Sequence, residues 1–175
     1  MTAHRATSPS APRPADSFRR CLATFTTGVA VVITTDEDDY AGMTVNSFTS
    51  VSLDPLLISI CLAHGSRTLA LLRRAGAFTV SILRADQRDH ARTFATPGAR
   101  FPHELIERRN GGGVYLTGAL ATLDCRVAHT ICAGDHDVVI GRVGDFDSGT
   151  GEPLLFHRGE LRELSPSKPT RARSE

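Results

Sequence analysis

The sequence predicts a mainly β protein with a few helices, folded as one antiparallel barrel. Three observations carry this reading. Apolar, β-branched runs recur at hairpin spacing, as in residues 29–35 and 137–146. Turn-forming clusters, Asp36-Glu37-Asp38-Asp39 and Gly134-Asp135, fold such runs straight back on themselves. Helical periods are short and too few to cross between successive strands, as a doubly wound sheet would require.

Residues 1–15 are rich in Ser, Pro, Ala and Arg, so a disordered tail is expected there. Asp16 or Ser17 caps a first helix. Phe18, Cys21, Leu22 and Phe25 fall at i, i+3, i+4 and i+7 along it, and Gly28 is its stop. Residues 29–35 read as a buried strand because the apolar run is continuous. The return strand leads into residues 42–55. Residues 56–63 are a further apolar strand. Ser66 caps a helix to Arg74, with Leu69 and Leu72 inward and Gly76 ending it. Residues 78–83 form a strand, and Asp86 caps a helix to about Phe94. Residues 97–110 are ambiguous, with a short helix from His103 as one option. Gly111-Gly112-Gly113 breaks the pattern. Residues 118–130 and 137–146 then form a long hairpin about Gly134-Asp135, and 153–156 and 160–164 read as closing strands. Residues 165–175 are a second polar tail, expected to be disordered, which leaves one domain at 16–164.

Bulk properties remove several function classes. A net charge of +1 and a pI near 7.8 give no electrostatic case for nucleic acid or an anionic membrane surface. Residues 1–16 contain no apolar core of a signal peptide, and no apolar run is long enough to span a bilayer. A cytoplasmic protein is expected. The four cysteines, Cys21, Cys61, Cys125 and Cys132, sit mostly in apolar runs, so reduced core thiols are expected rather than disulfides.

The chemically informative stretch is residues 42–55. It carries Thr44, Asn46, Ser47, Thr49, Ser50, Ser52 and Asp54 among β-formers, with no Lys, Arg or Glu. Taken as one extended strand, it sends Thr44, Asn46, Phe48, Ser50 and Ser52 to one face. Unpaired buried hydroxyls are costly, and a plain surface strand would carry longer charged side chains. Short hydroxyls and an amide suit a ligand rich in carbonyls, ring nitrogens and phosphate oxygens. A Ser/Thr-rich edge strand with a turn is the plainer alternative.

The same stretch, Gly42-Met43-Thr44-Val45-Asn46-Ser47-Phe48-Thr49-Ser50-Val51-Ser52-Leu53-Asp54-Pro55, resembles the signature of the short-chain flavin reductases. Members of that family supply reduced flavin to monooxygenases. Three more blocks match in the same order: Phe25-Thr26-Thr27-Gly28-Val29-Ala30-Val31-Val32, Gly134-Asp135-His136 and Pro153-Leu154-Leu155-Phe156. Four collinear blocks across residues 18–164 are far more specific than one. Leu56 departs from the pattern, where a second proline is usual, as does Gly111-Gly112-Gly113, where Gly-x-Pro is typical.

The resemblance implies a split β-barrel that binds FMN or FAD, built as a homodimer, with NADH or NADPH as hydride donor. The flavin would be held by Gly42, Met43, Thr44, Val45, Asn46, Ser47, Ser50, Val51 and Ser52. Cys61, Leu62, Ala63, His64, Ser66, Arg67 and Thr68 continue that set, where a strand end meets a helix start and backbone N–H groups favour an anion. Phe94, Arg100 and Phe101 would cover the outer flavin or an adenine, unless the two phenylalanines are simply core. The nicotinamide nucleotide falls to Gly28, His136, Phe156, His157, Arg158 and Gly159, with Arg158 available for a phosphate.

No catalytic acid or base is implied, because hydride transfer is carried by the cofactors, and His136 would only assist. Reduced flavin would then diffuse to a flavin-dependent monooxygenase or halogenase. A flavin carrier without reductase activity, or a split-barrel oxidase with its own organic substrate, are the alternatives.

Two other motifs fail their context. Gly111-Gly112-Gly113-Val114-Tyr115-Leu116 lacks the third glycine and the βαβ frame of a dinucleotide fingerprint. Cys125, His129, Cys132 and His136 have zinc-like composition, but an extended strand puts Cys132 off the face of Cys125 and His129. No metal is expected.

Overall fold

The computed structural model describes residues 14–108 and 113–164. The rest of the two expected tails, with Gly111 and Gly112 of the triple glycine, lies outside these. The order is α1 (Pro14–Leu22), β1 (Thr27–Gly28), β2 (Ala30–Asp36), β3 (Asp39–Val45), β4 (Thr49–Leu53), β5 (Leu56–Ala63), α2 (Arg67–Ala75), β6 (Ala77–Ile82) and α3 (Arg88–Ala95). A 3-10 turn (His103–Leu105), β7 (Ile106–Arg108), β8 (Val114–Leu116), β9 (Ala121–Ala133), β10 (His136–Ser148), β11 (Leu155–His157) and β12 (Glu160–Arg162) complete it.

Seven strands form one antiparallel sheet in the order β3-β2-β6-β9-β10-β5-β4. Laid flat, β3 and β5 would be five spacings, or about 24 Å, apart. Yet Val45 of β3 shares one buried cluster with Ile58 and Ile60 of β5, together with Leu69 and Leu72 of α2. The sheet is therefore rolled around that core. Its two edges, β3 and β4, do not pair with each other, which makes the barrel split rather than closed.

Strand β2 shows why its sequence is continuously apolar. Ala30 and Val32 face the barrel core, whereas Val29, Val31 and Ile33 face a second cluster with Leu83, Ala91, Phe94, Val114, Leu116 and Leu154. Both faces are covered, so no alternation is needed. Helix α2 follows its expected limits: the Ser66 hydroxyl accepts from Leu69 N at 3.2 Å, and Gly76 takes φ 65° while its N–H donates to Leu72 O.

Five expectations need correction. Gly28 does not stop the first helix. The helix ends at Leu22, and Gly28 lies in β1 opposite Leu155. The polar ribbon is not one strand. It bends at Asn46, leaving one sheet edge as β3 and joining the other as β4, so face alternation cannot be carried across it. The closing strands instead pair β1-β11-β12 in a separate three-stranded sheet. Gln87, not Asp86, stands at the start of α3; its buried amide donates to Thr117 O, while Asp86 pairs with Arg84. Finally, Cys21 and Cys132 are exposed, and only Cys125 is buried among the four free thiols. Burial, reinforced by the Asp124 charge, pushes the Cys125 thiol up to about 12.

Candidate functional site

The site residues fall into three groups. The first surrounds a cavity of about 190 Å³ lined by Val29, Thr44, Val45, Asn46, Arg92 and Phe156, among others. Strand β3 supplies one wall and α3 the other. They are tied by the Thr44 hydroxyl, which donates to Ala91 O at 2.7 Å. Gly42 permits this closeness, since a Cβ there would lie 2.8 Å from Phe94 Cε1 and 3.2 Å from Val32 O. Gly42 is thus a packing residue. Beyond the bend, Ser47 anchors the crossing: Cys61 N–H donates to Ser47 Oγ at 2.9 Å, and that hydroxyl lies 3.3 Å from Cys61 O. Asn46 is left exposed beside the cavity, making no side-chain hydrogen bond to any described residue.

The second group is the β1-β11-β12 sheet. Thr27 pairs with Phe156 and Gly28 with Leu155. Arg158 (φ 52°) and Gly159 (φ 82°) form the two-residue turn between β11 and β12, both in the left-handed region. Arg158 is there as a turn residue, and its N–H donates to Ala23 O. His157 Nδ1 lies 2.8 Å from the Thr26 hydroxyl. A Cβ added at Gly28 would meet nothing within 4 Å, so neither backbone φ nor packing among the described residues demands glycine there. Two buried side-chain atoms lack a partner among the described residues, Thr27 Oγ1 and His90 Nδ1. Sequence reasoning did not single out either one. Thr27 is paired across the ladder with Phe156, which lines the cavity.

The third group lies where β5, α2 and the β9–β10 turn meet. His136 is opposite Ala63, and Asp137 opposite Leu62. His136 Nδ1 contacts Asp135 at 2.7 Å, an interaction that holds the Asp135 carboxyl below its ordinary range. Asp137, 2 % exposed, joins Arg73 (2.7 Å) and His64 (2.8 Å); the Arg73 hydrogen bond is foremost in holding its carboxyl low, against the cost of burial. Arg67 is engaged by Asp39, which also binds Arg74. Burial opposes ionisation of Asp39, but the two guanidiniums outweigh it and hold its carboxyl low.

Some expected contacts do not assemble. Phe94 is 6 % exposed and packs edge-on with Phe101 at 5.8 Å, so it is core and its ring cannot lie over a surface ligand. Leu62 and Thr68 are also buried, leaving only their backbone for a ligand. Ser50, Val51 and Ser52 sit on edge strand β4 beyond the crossing, and the Ser52 hydroxyl accepts from Asp54 N. Arg100 is exposed on the loop after α3.

A rolled, split antiparallel barrel with a hydroxyl- and amide-edged cavity between β3 and α3 defines a class, and the comparisons agree with it. Residues 22–165 match the family model described as flavin reductase like domain, and the chain belongs to that family. It is 35% identical over 150 residues to the reductase component of a 4-nitrophenol 4-monooxygenase/4-nitrocatechol 2-monooxygenase from Rhodococcus opacus, covering 85% of this chain and 80% of that one. It is 38% identical over 154 residues to the reductase component of a 4-hydroxyphenylacetate 3-monooxygenase from Thermus thermophilus, covering 87% and 99%. Among solved structures, BorF, the flavin reductase component of a bacterial two-component tryptophan halogenase, superposes with a TM-score of 0.82 at 34% identity, covering 87% and 99%. The NADH:FAD oxidoreductase SgcE6 of Streptomyces globisporus, in complex with NAD and FAD fragments, superposes with a TM-score of 0.84 at 32% identity, covering 91% and 98%.

Proposed function

We propose that this chain is an NADH-dependent flavin reductase that reduces FMN or FAD and releases it to a separate flavin-dependent monooxygenase or halogenase. The observation that carries this is the cavity in which Thr44, Val45 and Asn46 meet Phe156. It joins the two sets of residues expected to hold the two halves of such a reaction. Relatives named as NADH-dependent reductases and as reductase components of two-component systems support the same reading.

A flavin fits the residues present. Val29, Ala91, Ala95 and Leu161 offer flat apolar walls, and the Asn46 amide offers a polar edge. Thr27 Oγ1 is a buried hydroxyl with no hydrogen-bond partner among the described residues. When bound together, nicotinamide and flavin supply the hydride chemistry themselves, and the protein contributes orientation and the exclusion of water. The Thr44 hydroxyl is spent on Ala91 O and sets the wall spacing. Asn46 donates to the ring edge, and backbone N–H groups of residues 44–47 favour charge that develops there. Gly28 leaves open space where a second planar group can stack. His136, fixed by Asp135, orients the nucleotide. Among the described residues Arg92 is the one arginine that lines the cavity, and Arg88 beside it is engaged by Leu161 O and Glu163, so no cluster of unengaged cations clamps a ligand that must leave.

The test is a spectrophotometric assay. NADH oxidation should require added flavin. Asn46→Ala should weaken flavin binding about 5-fold, the worth of one hydrogen bond. His136→Ala should raise the KM for NADH while leaving flavin affinity unchanged. A yellow protein inert to NADH would overturn the proposal in favour of a carrier or an oxidase.

The reading extends to a homodimer. Phe18, Leu22 and Phe25 around α1, Val51 and Leu53 on β4, and Ile131 and Phe146 on the long hairpin are all at least half exposed. So much large apolar surface is unusual for a monomer. Light scattering should give twice the chain mass, and Leu53→Asp should shift it toward the monomer. A wild-type monomer at micromolar concentration would sink the dimer.

A further inference from the structure

The third group of residues holds a second feature, which shares only His64 with the residues expected to hold the flavin. Cys132, near the end of β9, lies directly across the ladder from Asp137 of β10, so their side chains leave the same face of the sheet. Cys132 Sγ is 3.9 Å from His64 Nε2, and that nitrogen is 2.8 Å from Asp137 Oδ1. The three donor atoms lie within 4.8 Å of one another, and no other trio of His, Cys, Asp or Glu among the described residues does so. They come from three segments: the end of β5, the end of β9 and the start of β10.

We propose that His64, Cys132 and Asp137 bind a zinc-class divalent cation, with solvent in the fourth position. The donor set is right for it, since thiolate, imidazole and carboxylate are the three ligand types that zinc takes. The spacing is close as well. A tetrahedral ion with ordinary bond lengths separates sulfur from nitrogen by about 3.6 Å and nitrogen from oxygen by about 3.4 Å. Against these, the sulfur–nitrogen distance is about 0.3 Å long, the nitrogen–oxygen distance about 0.6 Å short, and the sulfur–oxygen distance at most 4.8 Å, which movements of the exposed His64 and Cys132 side chains can close.

The surroundings hold the ligands in place. Arg73 occupies the other oxygen of Asp137 at 2.7 Å, which orients the carboxylate and leaves Oδ1 toward the site. His64 N–H donates to Asp135 O at 3.0 Å, fastening the imidazole's backbone to the β9–β10 turn. On binding, the Cys132 thiol proton passes to solvent. The imidazole proton shifts through solvent from Nε2 to Nδ1, and the metal takes the place it held between Nε2 and Oδ1. Thiolate, carboxylate and guanidinium leave the loaded site with one net positive charge. Sequence spacing concealed this trio, because its members are brought together by strand pairing and not by a local knuckle.

The test is metal binding to the full chain, with no activity measured, so its outcome is independent of the flavin reading. Cobalt(II) is added to a Cys21→Ser protein, which removes the other exposed thiol, and zinc is titrated against a chromophoric chelator. The expected result is one ion per chain, visible d–d bands and a thiolate-to-cobalt charge-transfer band. Cys132→Ser should abolish that band and weaken zinc binding at least ~10-fold, and Arg73→Ala should weaken it about 10-fold while keeping the band. Cobalt spectra without the charge-transfer band, or zinc affinity unchanged in Cys132→Ser, would overturn the proposal. Cys132 is exposed on a strand end, so its serine variant tests the site without risk to the fold.

Discussion

Gly42→Val should destabilise the protein by about 1–3 kcal/mol and weaken flavin binding by more than that loss of stability explains. The reason lies in how β3 meets α3. A Cβ at position 42 arrives 2.8 Å from Phe94 Cε1, 3.0 Å from Phe94 Cδ1 and 3.2 Å from Val32 O. The carbonyl belongs to the neighbouring strand and cannot give way without disturbing the ladder. The ring is the softer side, but Phe94 is buried and held edge-on by Phe101. Relief therefore comes from moving α3 outward. That helix carries Ala91, Arg92 and Ala95 of the cavity wall and the carbonyl that receives the Thr44 hydroxyl. Chemical denaturation and fluorescence quenching by flavin check the two effects separately, and Gly42→Ala should show smaller versions of both. Wild-type stability in Gly42→Val would mean that α3 is not seated against β3 in this way.

The same region shows what could and could not be read from residue order. Strand β2 and the β9–β10 hairpin announce themselves, because continuous apolar runs and a Gly-Asp turn are local signals that packing then honours. Helix α2 is equally legible, since Ser66 and Gly76 are its own caps. The polar ribbon misleads because period-two alternation assumes an unbroken strand. The bend at Asn46 is imposed by contact with β5, which lies 14 residues further on for the Ser47–Cys61 pair. Thr27 is hidden for a related reason: its hydroxyl is buried only once β1 has paired with β11, with no partner among the described residues. Residue order leaves Phe94 open between ligand and core, and packing puts its ring in the core. The exposed stripe of Phe18, Leu22 and Phe25 has helical period, but none of the described residues covers it.

Ser47→Ala is expected to raise the flavin dissociation constant about 5- to 30-fold, the equivalent of one to two kcal/mol. Strand β4 pairs with β5 only as far as Thr49 opposite Ser59, so the outward backbone groups of Cys61 have no strand beside them. The Ser47 hydroxyl stands in for that strand, accepting from Cys61 N–H at 2.9 Å with Cys61 O 3.3 Å away. Alanine leaves a half-buried amide and carbonyl without a partner, which costs about 1–3 kcal/mol for a buried group. It also frees the three-residue crossing between the two sheet edges, and Asn46 sits at the start of that crossing. The amide would then have to be ordered by the ligand itself, at the expense of affinity. Ser47→Thr keeps the hydroxyl and should restore most of the binding, which separates loss of the anchor from a general loss of packing. Flavin affinity at the wild-type level in Ser47→Ala would show that Asn46 is held by something other than the end of β5.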